Sequence, residues 1–178
     1  MATLRAMTLE EYECWVHVAI ASYAEDKIAS GQWSPDESLE RSTQEHAELL
    51  PQGLSTPDNH LFSVLNGDDQ LVGVLWFAVK TKFNAPVAYL YNIEIDPKHR
   101  RRGHAYRALL ALEEEARRMG LAGVALHVFG HNKAAQALYA KLGYAPTNIN
   151  LYKPLGGITS VKQFASIDPH PATRTAGG

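Results

Sequence analysis

A buried strand, a basic turn that contains glycine, and a long helix follow one another in the middle of the chain, and this order constrains the fold most. The apolar run Val87 to Ile95 predicts the strand, which ends at Asp96-Pro97 because proline has no amide for a sheet ladder. Apolar residues then recur at helical spacing from Gly103 to Met119. The pattern therefore places the N-terminus of a helix directly after a sheet strand.

The turn between strand and helix is rich in arginine, with Arg100, Arg101 and Arg102 before Gly103. Free amides and the helix dipole at such an N-terminus favour an anion, and the guanidinium groups add permanent charge. Gly103 lets the backbone approach a phosphate, while the small Ala105 keeps the first helical turn accessible. The turn predicts a phosphate-binding site. The alternatives are a solvated basic loop or a short nucleic-acid patch.

Helices and strands are also predicted on both sides of this unit. Thr8 and Glu11 form a capping-box pattern that starts a helix over about residues 8–29, and Ser34-Pro35 starts a second helix that runs to residue 50. Further strands are predicted at residues 60–65, 71–80, 124–129 and 147–152, and a last helix from Asn132 to residue 143. Residues 1–155 are expected to form a single domain, and residues 156–178 a flexible tail.

Composition excludes several classes of protein. A chain of 178 residues with 46% hydrophobic residues can bury one core, and a net charge of -2 gives no general attraction to nucleic acid or anionic membranes. The single cysteine, Cys14, excludes an internal disulfide, and no apolar run is long enough for a membrane span. The histidines lack paired acidic ligands at helical spacing, so no metal site is predicted. We expect a cytoplasmic protein with no membrane or nucleic-acid partner.

Two sequence blocks resemble the GNAT superfamily of N-acetyltransferases. The acetyl-CoA signature of that family, Gln/Arg-x-x-Gly-x-Gly/Ala after a strand, is matched by Arg100-x-x-Gly103-x-Ala105. A second block follows another strand and consists of Asn132, Ala135, Leu138-Tyr139 and Leu142-Gly143-Tyr144. The resemblance covers residues 60–153, and the two N-terminal helices match in order and kind.

The resemblance implies a fold and a cofactor. It implies an α/β (α+β) fold with a mixed, mostly antiparallel twisted sheet, flanked by about four helices and splayed between two central strands, with the pantetheine arm of acetyl-CoA in the opening. The backbones of Ile93 and Ile95 would pair with the pantetheine amides. Asn132 would lie near that arm, or cap its helix, or both. The pyrophosphate would contact the turn, whose residues are Arg100, Arg101, Arg102, Gly103, His104, Ala105 and Tyr106.

Three residues are candidates for proton transfer at the acetyl group. Tyr139 matches the tyrosine that commonly protonates the CoA sulfur in this family, and the alternative is a buried aromatic on the apolar face of its helix. Glu94 and His127 each interrupt an apolar strand, and either side chain is a candidate base for the acceptor amine. Either residue is also explained as a hydrogen-bonded strand residue, so the base stays open between them.

The charge distribution suggests an acceptor. Residues 8–50 contain ten acidic residues but only Lys27 and Arg41 as fixed positive charges, whereas residues 98–107 contain one lysine, four arginines and no acid. This asymmetry fits a polyanionic cofactor on one side and a cationic amine on the other, although solvated helix surfaces explain the acids equally well. Tyr23 and Trp33 form either an aromatic wall of the acceptor pocket or part of the core. A non-catalytic acyl-CoA-binding sensor is the alternative function, and a homodimer stays open.

Overall fold

The computed structural model describes residues 3–130, 132–151, 153, 155 and 174–175. Its elements, in chain order, are β1 (Thr3–Ala6), α1 (Leu9–Ala29), α2 (Pro35–Leu49), β2 (Asn59–Leu65), β3 (Leu71–Lys82), β4 (Ala85–Ile95), α3 (His104–Arg118), β5 (Val124–Leu126), α4 (Lys133–Lys141) and β6 (Arg174–Thr175). Among the described residues, no helix combines the length and the apolarity that crossing a membrane requires.

The sheet is mixed and mostly antiparallel, as predicted. Its strand order is β1-β2-β3-β4-β5, and the first four strands are antiparallel to their neighbours. β5 is parallel to β4, which requires the crossover through α3. The short β6 also runs parallel to β4, beside it but off this path.

Helices cover both faces of the sheet and bury separate apolar clusters. On one face, α3 and α4 pack on strand residues that include Leu90, Ile93 and Ile95. On the other face, Trp15 and Ala19 of α1 pack on Trp76, Ala78, Tyr89 and Tyr91. The basic turn, residues 100–106, leads into α3 and so belongs to the first face. The acidic helices α1 and α2 belong to the second face.

The starts of the predicted helices are confirmed. The Thr8 hydroxyl accepts a hydrogen bond from the Glu11 amide and caps α1. The Glu11 carboxylate accepts from the Thr8 amide at 2.9 Å, which completes the capping box. α2 begins with Pro35 at its first position. The carboxamide oxygen of Asn132 accepts from the Ala135 amide at 3.1 Å and caps α4.

Three strand predictions differ from the structure. β1 was not predicted, and β5 ends at Leu126 rather than at residue 129. The final strand expected at residues 147–152 is wrong for residues 147–151, which form no strand; residue 152 lies outside the described residues. Ile149 and Leu151 alternate with polar residues as in a strand, yet they are 75% and 91% exposed. A strand exists only where a neighbouring edge accepts its hydrogen bonds, and alternation in one segment does not reveal that edge.

Most of the predicted tail, residues 156–173 and 176–178, lies outside the described residues. Within it, Arg174–Thr175 form β6, in register with Asn92 and Ile93 of β4. The boundary between domain and tail stays a prediction.

Candidate active site

The candidate site is the place where β4 and β5 stop pairing. Their parallel ladder runs from Ala88 and Val124 to Leu90 and Leu126, while β4 continues to Ile95 paired with β3 on its other edge. The backbone of β4 is therefore available to another partner beyond Leu90, and the predicted splay between two central strands lies here. In this structure, β6 pairs with that edge at Asn92 and Ile93. Ile93 is thus paired with β6 where the resemblance implies pantetheine.

A β-bulge re-aims β4 at the same place. Across from it on β3, Trp76 pairs with Asn92 and Phe77 with Leu90, so Tyr91 is the extra residue. Leu90 and Ile93 both lie in the cluster under α3 although they are three residues apart. Tyr91 and Asn92 consequently both face the α1 side of the sheet.

The backbone of the basic turn is shaped by local hydrogen bonds. The Asp96 carboxylate accepts from the Lys98 amide at 3.0 Å, and the Arg100 guanidinium donates from Nε to the Ile95 carbonyl at 2.9 Å. Arg101 adopts φ 63°, and Gly103 follows at φ 76° as the N-cap of α3. Two left-handed residues so close together curl the backbone into a concave turn at the helix N-terminus.

This turn presents donors for an anion. None of the backbone amides of residues 101–106 donates to a carbonyl of the described residues. Arg107 braces the loop by donating to the Arg102 carbonyl at 2.7 Å, and Arg102 itself is exposed. Burial, together with the charge of Arg107, lowers the pKa of His104, so this imidazole is held neutral beside the turn. Ala105 is buried and Tyr106 half-buried, so the polar surface here belongs to backbone and arginine.

The proton-handling candidates lie on opposite faces of the sheet. Tyr139 is 3% exposed on α4, in the cluster under α3, with the Tyr144 ring centre 5.5 Å from its own. Glu94 is half-buried and opposite Val74, which packs on the α1 side. His127 directly follows β5, and its ring meets the Phe129 ring edge-on at 5.4 Å. Phe129 in turn packs with Tyr23 of α1, which puts His127 on the α1 side as well.

The predicted aromatic wall encloses a lysine of the chain itself. Lys27 is 3% exposed, and its Nζ donates to the Gln32 side chain at 2.7 Å. The same ammonium lies 5.3 Å from the Tyr23 ring centre and 5.4 Å from that of Trp33. The Tyr23 hydroxyl donates to Glu45 at 2.8 Å, so one acid of α2 is turned inward.

Two residues of this region were not predicted from the sequence. In the sequence, Lys27 is one of the two fixed positive charges of residues 8–50. Nothing local distinguishes a buried lysine from an exposed one on a helix. Asn92 is 7% exposed, and its side-chain oxygen has no hydrogen-bond partner among the described residues. A signal existed for Asn92, because it interrupts the same apolar strand as Glu94.

A separate cavity of about 430 Å³ lies away from these residues. It is bounded by α3, the start of β5 and the residues that follow α4, with Glu113, Arg117 and Tyr144 in its wall. No predicted site residue lines it, and it does not touch β4 or the basic turn. We therefore assign the site to the opening beside β4. Among the described residues, no group of three or more potential metal ligands is present.

Comparison with known proteins identifies the family. The profile of the acetyltransferase (GNAT) family matches residues 22–144. The chain is 35% identical over 152 residues to YycN of Bacillus subtilis, described as an uncharacterized N-acetyltransferase, over 85% of this chain and 97% of that protein. The YycN crystal structure gives a TM-score of 0.82 at 34% identity, over 88% of this chain and 100% of that one. AAC(6')-Iy, solved with the bisubstrate analogue CoA-S-monomethyl-acetylneamine, has a similar fold, with a TM-score of 0.57 at 17% identity over 88% of this chain and 99% of that one. The chain therefore belongs to the GNAT family of N-acetyltransferases.

Proposed function

We propose that this protein transfers the acetyl group of acetyl-CoA to a primary amine by direct attack within a ternary complex. The observation that carries the proposal is the basic turn next to an opening in the sheet, with amides from residue 101 to 106 that donate to no carbonyl of the described residues. AAC(6')-Iy was solved with a bisubstrate analogue, and one site that holds donor and acceptor together is what direct attack requires.

The residues present fit the donor. The amides of the turn and the exposed guanidiniums of Arg101 and Arg102 would hold the pyrophosphate, since both supply hydrogen bonds to phosphate oxygens. A side chain at Gly103 would have its Cβ 3.0 Å from the Arg107 guanidinium, so glycine keeps the cradle open. The edge of β4 at Ile93 and Ile95 would pair with the pantetheine amides once β6 has left Ile93. When bound, acetyl-CoA supplies an activated acyl carbon and a thiolate leaving group.

The chain's own residues would then move two protons. Glu94 or His127 takes the proton from the ammonium of the acceptor, so that the nitrogen lone pair can form the new C–N bond at the acyl carbon. The nitrogen, which carries a positive charge after the attack, loses a second proton to solvent. The C–S bond breaks, and its electron pair goes to sulfur. Tyr139 donates its phenolic proton to that sulfur and regains one from solvent. Asn132, the N-cap of α4, lies about two turns before Tyr139 and fixes where that helix begins.

A cationic acceptor in a reducing compartment belongs to the same proposal. The acids of α1 and α2 flank the face on which Glu94 and His127 lie, and they attract an ammonium before it is deprotonated. The one cysteine of the chain, Cys14, is exposed and free, as is usual in the cytoplasm.

Thiol release tests the proposal. The protein is mixed with acetyl-CoA and, in turn, with spermidine, a lysine-containing peptide and kanamycin, while free thiol is followed by a colour reaction. Acetyl transfer predicts release that depends on one of these amines. Saturable CoA binding with no amine-dependent release of thiol would instead support the acyl-CoA sensor. Heat-denatured wild-type protein gives the background rate of thiol release.

A further inference from the structure

The side-chain oxygen of Asn92 is a hydrogen-bond acceptor to which no group in the described part of the chain donates. Asn92 is 7% exposed, and no described residue donates to its Oδ1. A buried carboxamide oxygen normally has at least one partner, because removing it from water without one is unfavourable. An oxygen of this kind is available to a donor group of a bound molecule.

Asn92 lies on the stretch of β4 that borders the opening. The residue lies two positions beyond Leu90, the last β4 residue to pair with β5. Because Tyr91 is bulged, Asn92 faces the α1 side, opposite Trp76 on β3. Glu94, two residues further on, alternates with Ile93 and Ile95 and faces the same side. The Asn92 carboxamide and one candidate base, Glu94, therefore lie side by side on the α1 side of the sheet.

Aromatic neighbours make this spot poor in water. Tyr91 stacks on Trp76 with ring centres 4.6 Å apart and an interplanar angle of 22°. The two rings, together with Tyr89 and Trp15, form the buried cluster beneath α1. A hydrogen bond is worth more in such surroundings than in water, because fewer competing donors and acceptors are present.

We propose that Asn92 binds the acceptor amine, and that its Oδ1 accepts one N–H of a neutral primary amine. This inference rests on the acetyl transfer proposed above. A neutral primary amine has two N–H donors and one lone pair. One N–H is directed at Asn92 and the other at the base, which leaves the lone pair pointing into the opening between β4 and β5. A secondary amine has a single N–H when neutral and cannot satisfy both groups, so Asn92 makes the site selective for primary amines.

A carboxamide suits this task better than a carboxylate. Asparagine does not titrate, so it holds the neutral, attacking form of the amine as readily as the ammonium. An aspartate in its place would stabilise the ammonium and would also repel Glu94, and both effects disfavour deprotonation. The identity of residue 92 therefore influences the pH at which the reaction begins.

The test compares each amine of the thiol-release panel that is turned over with its N-methyl derivative. We expect wild type to favour the primary amine by at least tenfold in kcat/KM. Asn92→Leu, which keeps the size of the side chain and removes its oxygen, lowers kcat/KM for the primary amine by about 100-fold and brings the selectivity ratio close to one. Asn92→Asp, which is isosteric, moves the acidic limb of the pH–rate profile to higher pH.

Ser63→Ala is the matched control. Ser63 is fully buried in the same sheet and donates to Glu11 at 2.8 Å, so its loss disturbs packing and a hydrogen bond without touching the opening. The variant should keep the wild-type selectivity and pH profile. Near-ultraviolet circular dichroism establishes that each variant is folded, and Asn92→Ser replaces Asn92→Leu if the latter is not.

The outcomes separate the two proposals. A wild-type protein that acetylates no amine would overturn acetyl transfer, and this inference with it. An active wild type whose primary-amine selectivity survives the loss of the Asn92 carboxamide, with the Asp variant keeping the wild-type acidic limb, would overturn this inference alone.

Discussion

The buried Tyr139 and the half-buried Tyr144, 5.5 Å apart between ring centres, differ in the role we assign to them. Tyr139 lies on α4, in the cluster under α3, whereas Tyr144 lies past the end of α4, where burial and the nearby Glu113 raise its pKa. If Tyr139 protonates the departing sulfur, Tyr139→Phe should lower kcat by about 100-fold or more, because general acid catalysis typically contributes a factor of that size. Steady-state thiol release measures the change.

Tyr144→Phe is the control for this prediction. It removes a phenolic oxygen that is equally shielded from solvent, so it reports any general effect of losing a buried hydroxyl at this place. We expect it to retain turnover. Equal rates for Tyr139→Phe and wild type over the full pH range would eliminate Tyr139 as the acid.

His46 makes the stability of the fold depend on pH. Burial lowers its pKa from 6.5, and its Nδ1–H donates to the Ser42 carbonyl at 2.8 Å. The unfolded chain therefore binds the proton at a higher pH than the folded one, and the free energy of unfolding falls as the pH is lowered below 6.5. His46→Gln should flatten this dependence in urea titrations between pH 7 and pH 5.

The exposed His17 on α1 provides the comparison. His17→Gln should keep the wild-type slope, because it changes a surface side chain and leaves the buried His46 in place. Part of the slope should persist in His46→Gln, since burial also lowers the pKa of His60. A wild-type slope in His46→Gln would show that His46 is not the group responsible.

At the scale of elements, the N-terminus of α3 depends on one left-handed glycine. Gly103 and Gly120 flank this helix at φ 76° and φ 70°, so alanine at either position costs about 1 to 2 kcal/mol of stability. Only Gly103 belongs to the basic turn. Gly103→Ala should therefore weaken CoA binding several-fold in calorimetric titrations, while Gly120→Ala, whose Cβ meets no atom within 4 Å, should bind CoA as wild type does. Equal affinities for both variants would contradict the role of the turn.

β6 occupies the edge of β4 that pantetheine is expected to use. Its pairing at Asn92 and Ile93 must be broken before a ligand can bind there, so the fraction of molecules competent to bind is reduced. Deleting residues 174–178 should lower the Kd for CoA several-fold. Deleting only residues 176–178, which spares β6, should leave the Kd unchanged. An identical Kd for the longer deletion and wild type would mean that β6 does not compete.

The elements differ in how well the sequence predicts them. Helices carry their own signals, such as the Thr8 capping box and the Gly103 turn, because their hydrogen bonds and caps are local. Strands depend on distant partners, so β1 was missed and the segment 147–151 was assigned a strand that it does not form. The bulge at Tyr91 arises from a shift between two strands, and no local pattern shows it. The face that Asn92 presents was unpredictable for the same reason.

At the scale of the whole molecule, donor and acceptor are assigned to opposite sides of one sheet. The basic turn and Tyr139 belong to the face that α3 and α4 cover, whereas Glu94 and Asn92 belong to the face under α1. The net charge of -2 conceals this division, because basic and acidic segments nearly cancel. Family membership follows from the fold and the two motifs. The identity of the acceptor does not follow from them.

Label transfer tests the central claim most directly. The protein is incubated with acetyl-CoA labelled with carbon-13 in the acetyl carbonyl, together with the amine that gives the fastest thiol release. Carbon NMR then follows the labelled carbon. The account predicts that the thioester signal is replaced by one amide signal for each thiol released, and that Tyr139→Phe slows both changes equally. Label that remains in the thioester, or that appears only as free acetate, would contradict acetyl transfer to an amine.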